Sequence, residues 1–157
     1  VSHMDRRIAA AVPALALSLT VAGCIRGQAD SPTATPLPAG SVDVGDGPKE
    51  APERPAELSE STVAEYVTPY EYRIAYNSLW VNEHTDVTLD CRLEEVAEQA
   101  WGYEAVVTCT GHSDTDVPEN ATTTPGPHAD WFTQSFEYRV SENATHRESV
   151  EQREPVS

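Results

Sequence analysis

"VTLDCRLEEVAEQAWGYEAVVTCT", residues 87–110, decides the fold. Val87, Leu89, Cys91 and Leu93 occupy every second position, with Thr88, Asp90, Arg92 and Glu94 between them. A period of two marks a half-buried strand. Tyr103, Ala105, Val107 and Cys109 repeat the pattern. With the intervening turn centred on Ala100, antiparallel partners sum to 200, so Leu93 faces Val107 and Cys91 faces Cys109. The two apolar faces then coincide, as one-sided burial demands. Residues opposed in a non-hydrogen-bonded pair have Cα atoms about 4.5 Å apart, within reach of a disulfide. A Cys91–Cys109 disulfide is therefore expected. Neither cysteine has the CxxC spacing or the basic surroundings of a reactive thiol.

Upstream the period changes. Val63, Val67, Tyr70 and Ile74 recur at intervals of 4, 3 and 4, one face of a helix expected from about 62 to 81. Thr62 with Glu65, and Thr68-Pro69 with Glu71, both fit capping boxes, so Pro69 either kinks one helix or starts a second. The stripe crosses Pro69 without a change of phase, which favours one kinked helix. Tyr66, Tyr70, Tyr72 and Tyr76 read as a core face with its flanks rather than a ligand box.

Downstream, residues 111–128, "GHSDTDVPENATTTPGPH", read as a polar loop. Alternation returns with Phe132, Phe136, Tyr138 and Val140. Residues 141–144 make a turn, Thr145 to Val150 a short edge strand, and residues 151–157 a frayed tail. The fold class is α+β: an N-terminal helix on a three- to four-stranded antiparallel sheet, within a domain spanning residues 59–150. Its shape is similar to cystatin-like and NTF2-like folds. At 157 residues the chain has room for one domain, by the usual allowance of roughly 100 to 200 residues each.

Before the domain the composition shifts. Six of the 12 prolines lie within residues 25–58, with few large apolar side chains, so this stretch is expected to be a disordered tether. Residues 1–24 read as an export signal. Val1-Ser2-His3 are extra residues ahead of Met4, Arg6-Arg7 supply a basic start, and Ile8 to Ala22 form a 15-residue apolar run. A membrane-spanning helix needs roughly 20 such residues. Arg6-Arg7 also leave a twin-arginine export route open beside the general one. Val21-Ala22-Gly23-Cys24 ends the run as a lipobox would, which makes Cys24 the expected lipidated first residue of the mature chain and its link to the membrane.

Without residues 1–24, Lys+Arg falls from 10 to 8 and Asp+Glu from 26 to 25, so the charge is 8 − 25 = −17. Lys49 is the only lysine. Such a surface repels nucleic acid. It also suits concentrated salt, where charge is screened within about 3 Å at 1 M. Two Asn-x-Thr sequons, at Asn120 and Asn143, are candidate glycosylation acceptors. His84, His112, His128 and His146 lack metal-ligand spacing, so no metal and no cofactor is expected. "HSDTD" (112–116) with Glu119 lacks the glycine and periodicity of a calcium loop. No nucleophile elbow, zinc-protease or phosphate-loop motif occurs.

With the lipobox, the lysine-poor acidic body, "EYVTPYEYRIAYN", "VTLDC", "VVTCT" and "EYRVSENATHRE" in view, the chain resembles small surface lipoproteins of haloarchaea. That resemblance implies a single α+β domain and no particular activity, so no functional residue is carried over. The expected role is a membrane-anchored, extracellular, non-enzymatic module that binds a protein or small-molecule partner. Two alternatives stand beside it. One is an NTF2-like ligand-binding or catalytic pocket between helix and sheet; the other is an accessory subunit of an envelope complex.

Overall fold

The computed structural model describes residues 35–116 and 128–156, with the side chains of 131 and 132 excepted. Among the described residues one helix, α1 (Glu60–Leu79), precedes four strands: β1 (Thr85–Gln99), β2 (Gly102–Thr115), β3 (His128–Ser141) and β4 (Ala144–Val150). The strands form an open antiparallel meander in the order β1-β2-β3-β4, and α1 packs across one face, chiefly on β1 and β2. The expected α+β class is thus the observed one.

The helix starts earlier than either capping box proposed from sequence. Ser59 is the N-cap: its hydroxyl accepts from the Thr62 backbone N–H at 3.2 Å, and Thr62 Oγ1 accepts from the Ser59 N–H at 2.9 Å. A threonine hydroxyl does here what glutamate does in the usual box. Pro69 lies inside one continuous helix. It removes the donor for the Glu65 carbonyl, and Glu65 is exposed, so water can take that place. At the other end Ser113 Oγ donates to the Leu79 carbonyl at 2.9 Å.

Cys91 and Cys109 are opposite each other and bonded, with Cα atoms 4.1 Å apart. The turn is not centred on Ala100, however. Gln99 pairs with Gly102 around a two-residue Ala100–Trp101 turn, so partners near it sum to 201. A bulge at Glu94 absorbs one residue and restores 200 from Leu93 outward. Gly102, at φ +149, is required by that turn. A Cβ there would meet the Val140 carbonyl oxygen at 2.2 Å.

Residues 111–115 and 128, expected in a polar loop, are strand. β2 runs on to Thr115 and β3 begins at His128, because cross-strand pairing holds even this polar sequence extended. The second hairpin turn is Glu142–Asn143.

Two segments expected to be mobile are packed down instead. Residues 38–54 run along α1 and the β4 edge. Val44 is buried, Tyr70 donates its hydroxyl to the Val42 carbonyl at 2.7 Å, and Gly40 makes a parallel bridge to Ala144. Asn77, buried on α1, accepts from the Lys49 N–H at 3.1 Å and donates to the Lys49 carbonyl at 2.8 Å. Arg54 donates to the Ser141 and Ala144 carbonyls at 2.7 and 2.9 Å. The proline-rich stretch cannot build its own core, yet Val42, Val44 and Leu58 seat it on the domain's. Other elements' side chains satisfy its backbone.

The 151–156 tail crosses the opposite sheet face rather than fraying. The Arg153 N–H donates to Ser135 Oγ at 3.0 Å and the Val156 N–H to Thr110 Oγ1 at 3.1 Å. Beneath it the Thr108 and Ser135 hydroxyls lie 2.8 Å apart and buried.

Candidate functional site

Three segments converge at the hairpin end of the sheet: the Ala100–Trp101 turn, the Glu142–Asn143 turn, and the chain entering α1 at 55–58. Between them, with Pro36 and Leu37, lies an open groove of about 940 Å³. Trp101, Tyr103 and Leu58 give it apolar and aromatic surface, while Glu57, Glu98 and Glu142 give it negative charge. The close approach of Gly102 to Val140 holds the two hairpin ends side by side. Aromatic faces beside a few polar groups are what binding sites use to seat and orient a ligand. Alternation places Tyr103 on the strand's core face and gives Trp101 no role; a half-buried tryptophan on a turn is the signal that points to it.

A second constellation is sealed between helix and sheet. Glu71 is 0% exposed. Arg147 on β4 grips it with two hydrogen bonds, Nε to Oε2 at 2.6 Å and Nη2 to Oε1 at 2.7 Å. Tyr138, the cross-strand partner of Arg147, donates its hydroxyl to Oε2 at 2.7 Å. The Arg147 guanidinium also stacks 3.3 Å from the Phe136 ring centre. Burial, and then the neighbouring Glu71 charge, push the Tyr138 hydroxyl's pKa far up, so it stays a donor. Burial draws the Arg147 pKa down, but its bonds to Glu71 outweigh this and raise it overall. Both Glu71 carboxylate oxygens and the Tyr138 hydroxyl are partnered, which makes the cluster a clamp between α1, β3 and β4. In the sequence Glu71 stands four residues after Val67, on the buried stripe; that spacing was its visible sign.

The space an NTF2-like pocket would need is filled. Tyr138, Val107, Phe136 and Ile74 occupy the region between helix and sheet. Tyr66 and Tyr70 are buried edge to face at 5.2 Å, and Lys49 lies 4.5 Å over the Tyr76 ring. These tyrosines are core and flank, as their spacing suggests.

Of the residues proposed from sequence, Cys24 and Asn120 lie outside the described residues, as does Glu119. Asn143 is exposed at the β3–β4 turn and lines the groove. The Cys91–Cys109 bond sits far from it along β1 and β2. His128 stands at the far end of the sheet, between Asp114 at 2.8 Å and Asp130 at 2.9 Å. The hydrogen bond to Asp114, then the charge of Asp130, raise its pKa. His146 donates to the Pro38 carbonyl at 2.7 Å. Among the described residues no cluster of His, Cys, Asp and Glu could hold a metal, and no helix is long and apolar enough to cross a membrane.

The chain matches no protein-family model, no curated protein and no solved structure.

Proposed function

We propose that the protein is a lipid-anchored module on the outer side of the membrane, attached through Cys24, whose domain binds a protein or small-molecule partner without catalysing a reaction. One observation supports the binding part: three chain segments meet at a groove carrying Trp101, Tyr103 and a rim of carboxylates. The anchoring part rests on the lipobox and the apolar run before it. The Cys91–Cys109 bond suits an oxidising exterior. The acidic, lysine-poor surface suits a saline one and disfavours nucleic acid as partner.

The accessory-subunit alternative would call for an exposed apolar patch. Among the described residues Val81 is the one large apolar side chain that stands exposed. The groove is therefore the better-supported contact surface.

Cross-linking on intact cells, followed by recovery of the full-length protein from membranes, tests both parts. Trp101→Ala should lose the adduct that wild type gives, while His112→Ala, at the other end of the sheet, should keep it. Identical adducts in both variants would remove the groove from the proposal. Intact mass should show a lipid on Cys24 as the first residue, and any other mature N-terminus would overturn the anchor.

A further inference from the structure

The sequon Asn143-Ala144-Thr145 divides between two environments. Asn143 is exposed on the two-residue turn, whereas Ala144 and Thr145 are 0% and 1% exposed. The Thr145 N–H donates to the Gly40 carbonyl at 2.8 Å. Its hydroxyl accepts from Arg54 Nη2 at 2.9 Å and lies 3.1 Å from the Tyr66 hydroxyl. The same arginine binds the Ser141 and Ala144 carbonyls, so its fork straddles the turn that carries Asn143. Ala144 and Thr145 are also paired in the sheet, to Ser141 and Val140.

The acceptor motif demands a hydroxyl residue at its third position, so a transferase must reach the Thr145 side chain as well as the Asn143 amide. The folded domain presents the amide and withholds the hydroxyl. Reading the tripeptide requires lifting the start of β4 from β3, from Gly40 and from Arg54 together.

We propose that Asn143 is an N-glycan acceptor in the unfolded chain and that folding closes the site. In the transfer, Asn143 Nδ2 attacks the anomeric carbon of a lipid-phosphate-linked oligosaccharide. The N–C bond forms and the C–O bond to phosphate breaks. The lipid phosphate leaves with the electron pair, and the amide proton passes to a base of the transferase. A glycan installed before folding has room afterwards, because the Asn143 position faces solvent. Occupancy at Asn143 then records whether the domain crossed the membrane unfolded or already folded.

The test uses the full chain, a purified oligosaccharyltransferase and its lipid-linked donor. One sample is refolded and oxidised first; the other is diluted from denaturant directly into the reaction. Mass spectrometry reads occupancy at Asn143, with Asn143→Gln as the blank. The prefolded chain should be modified at least about tenfold more slowly, because the site is exposed only through local opening. Equal rates in the two samples would refute closure. No modification of the freshly diluted chain would refute the acceptor itself.

Discussion

Replacing Arg147 by methionine probes the sealed clamp most directly. Methionine keeps an apolar stem over Phe136 while removing the charge that partners Glu71. The carboxylate would then be buried with one hydrogen bond, from Tyr138, in place of three. Breaking a buried pair by removing one partner costs about 3 to 5 kcal/mol. With a urea slope of about 2 kcal/mol/M, the unfolding midpoint should fall by about 2 M. Removing both charges, as Glu71→Met with Arg147→Met, should recover most of this and leave about 1 to 3 kcal/mol for the orphaned Tyr138 hydroxyl. Adding Tyr138→Phe should bring the protein back to within about 1 kcal/mol of wild type, since apolar replacement of a whole buried cluster is often neutral. The assay is urea denaturation followed by circular dichroism, repeated at several salt concentrations. Because Glu71 is inaccessible to solvent ions, the loss in Arg147→Met should hardly change with salt. A single-variant cost below about 1 kcal/mol would refute the reasoning, since it would mean that water solvates the buried carboxylate. So would a triple variant as unstable as the single one, which would assign the effect to packing.

Four further outcomes follow from the same geometry. Reducing the Cys91–Cys109 bond, whose ends lie 18 positions apart in sequence, should cost about 3 kcal/mol by loop entropy, measured as a midpoint shift with and without reductant. Gly102→Ala should destabilise by more than about 2 kcal/mol, because the added Cβ meets the Val140 carbonyl and φ stays positive; an unchanged melting temperature would contradict the turn geometry. Truncation after Val150 should cost about 1 to 2 kcal/mol, chiefly for the two hydrogen bonds donated by tail backbone N–H groups, with faster amide exchange in β2 and β3. His128 has a folded pKa above its unfolded value, so its contribution is full below the unfolded value and is lost as pH rises through the folded one. Asp114→Asn should lower its NMR titration midpoint, and an unmoved midpoint would break the assignment to Asp114.

Covering segments hold this domain together on both sides. Residues 38–54 close the β4 edge and flank the helix, while 151–156 shield the hydroxyl rows of β2 and β3. An exposed edge strand invites pairing with other chains. The Gly40–Ala144 bridge and the Arg54 fork blunt it where β4 begins.

By itself the sequence determined what depends on local repetition. The 4-3-4 stripe specified the helix face, and the period of two specified the strands and which of their faces is buried. It also identified the cysteine pair, because alternation and one-sided burial restrict register so strongly. The pairing survived a misplaced turn, since the bulge at Glu94 compensates for a turn centred half a residue later in the chain. Only the tertiary structure decided the rest. Lys49 is held by Asn77, 28 residues on, and Arg54 by carbonyls 87 and 90 residues away. Neither segment carries a period, because each covers a core instead of building one. Spacing puts Glu71 on the buried stripe, but its partner appears only once β4 brings Arg147 beneath it. The groove exists only where two hairpin turns and the helix entry meet. Contacts between residues so distant in the chain leave no local pattern, since their free energy comes from desolvation and hydrogen bonding that begin once the sheet has formed.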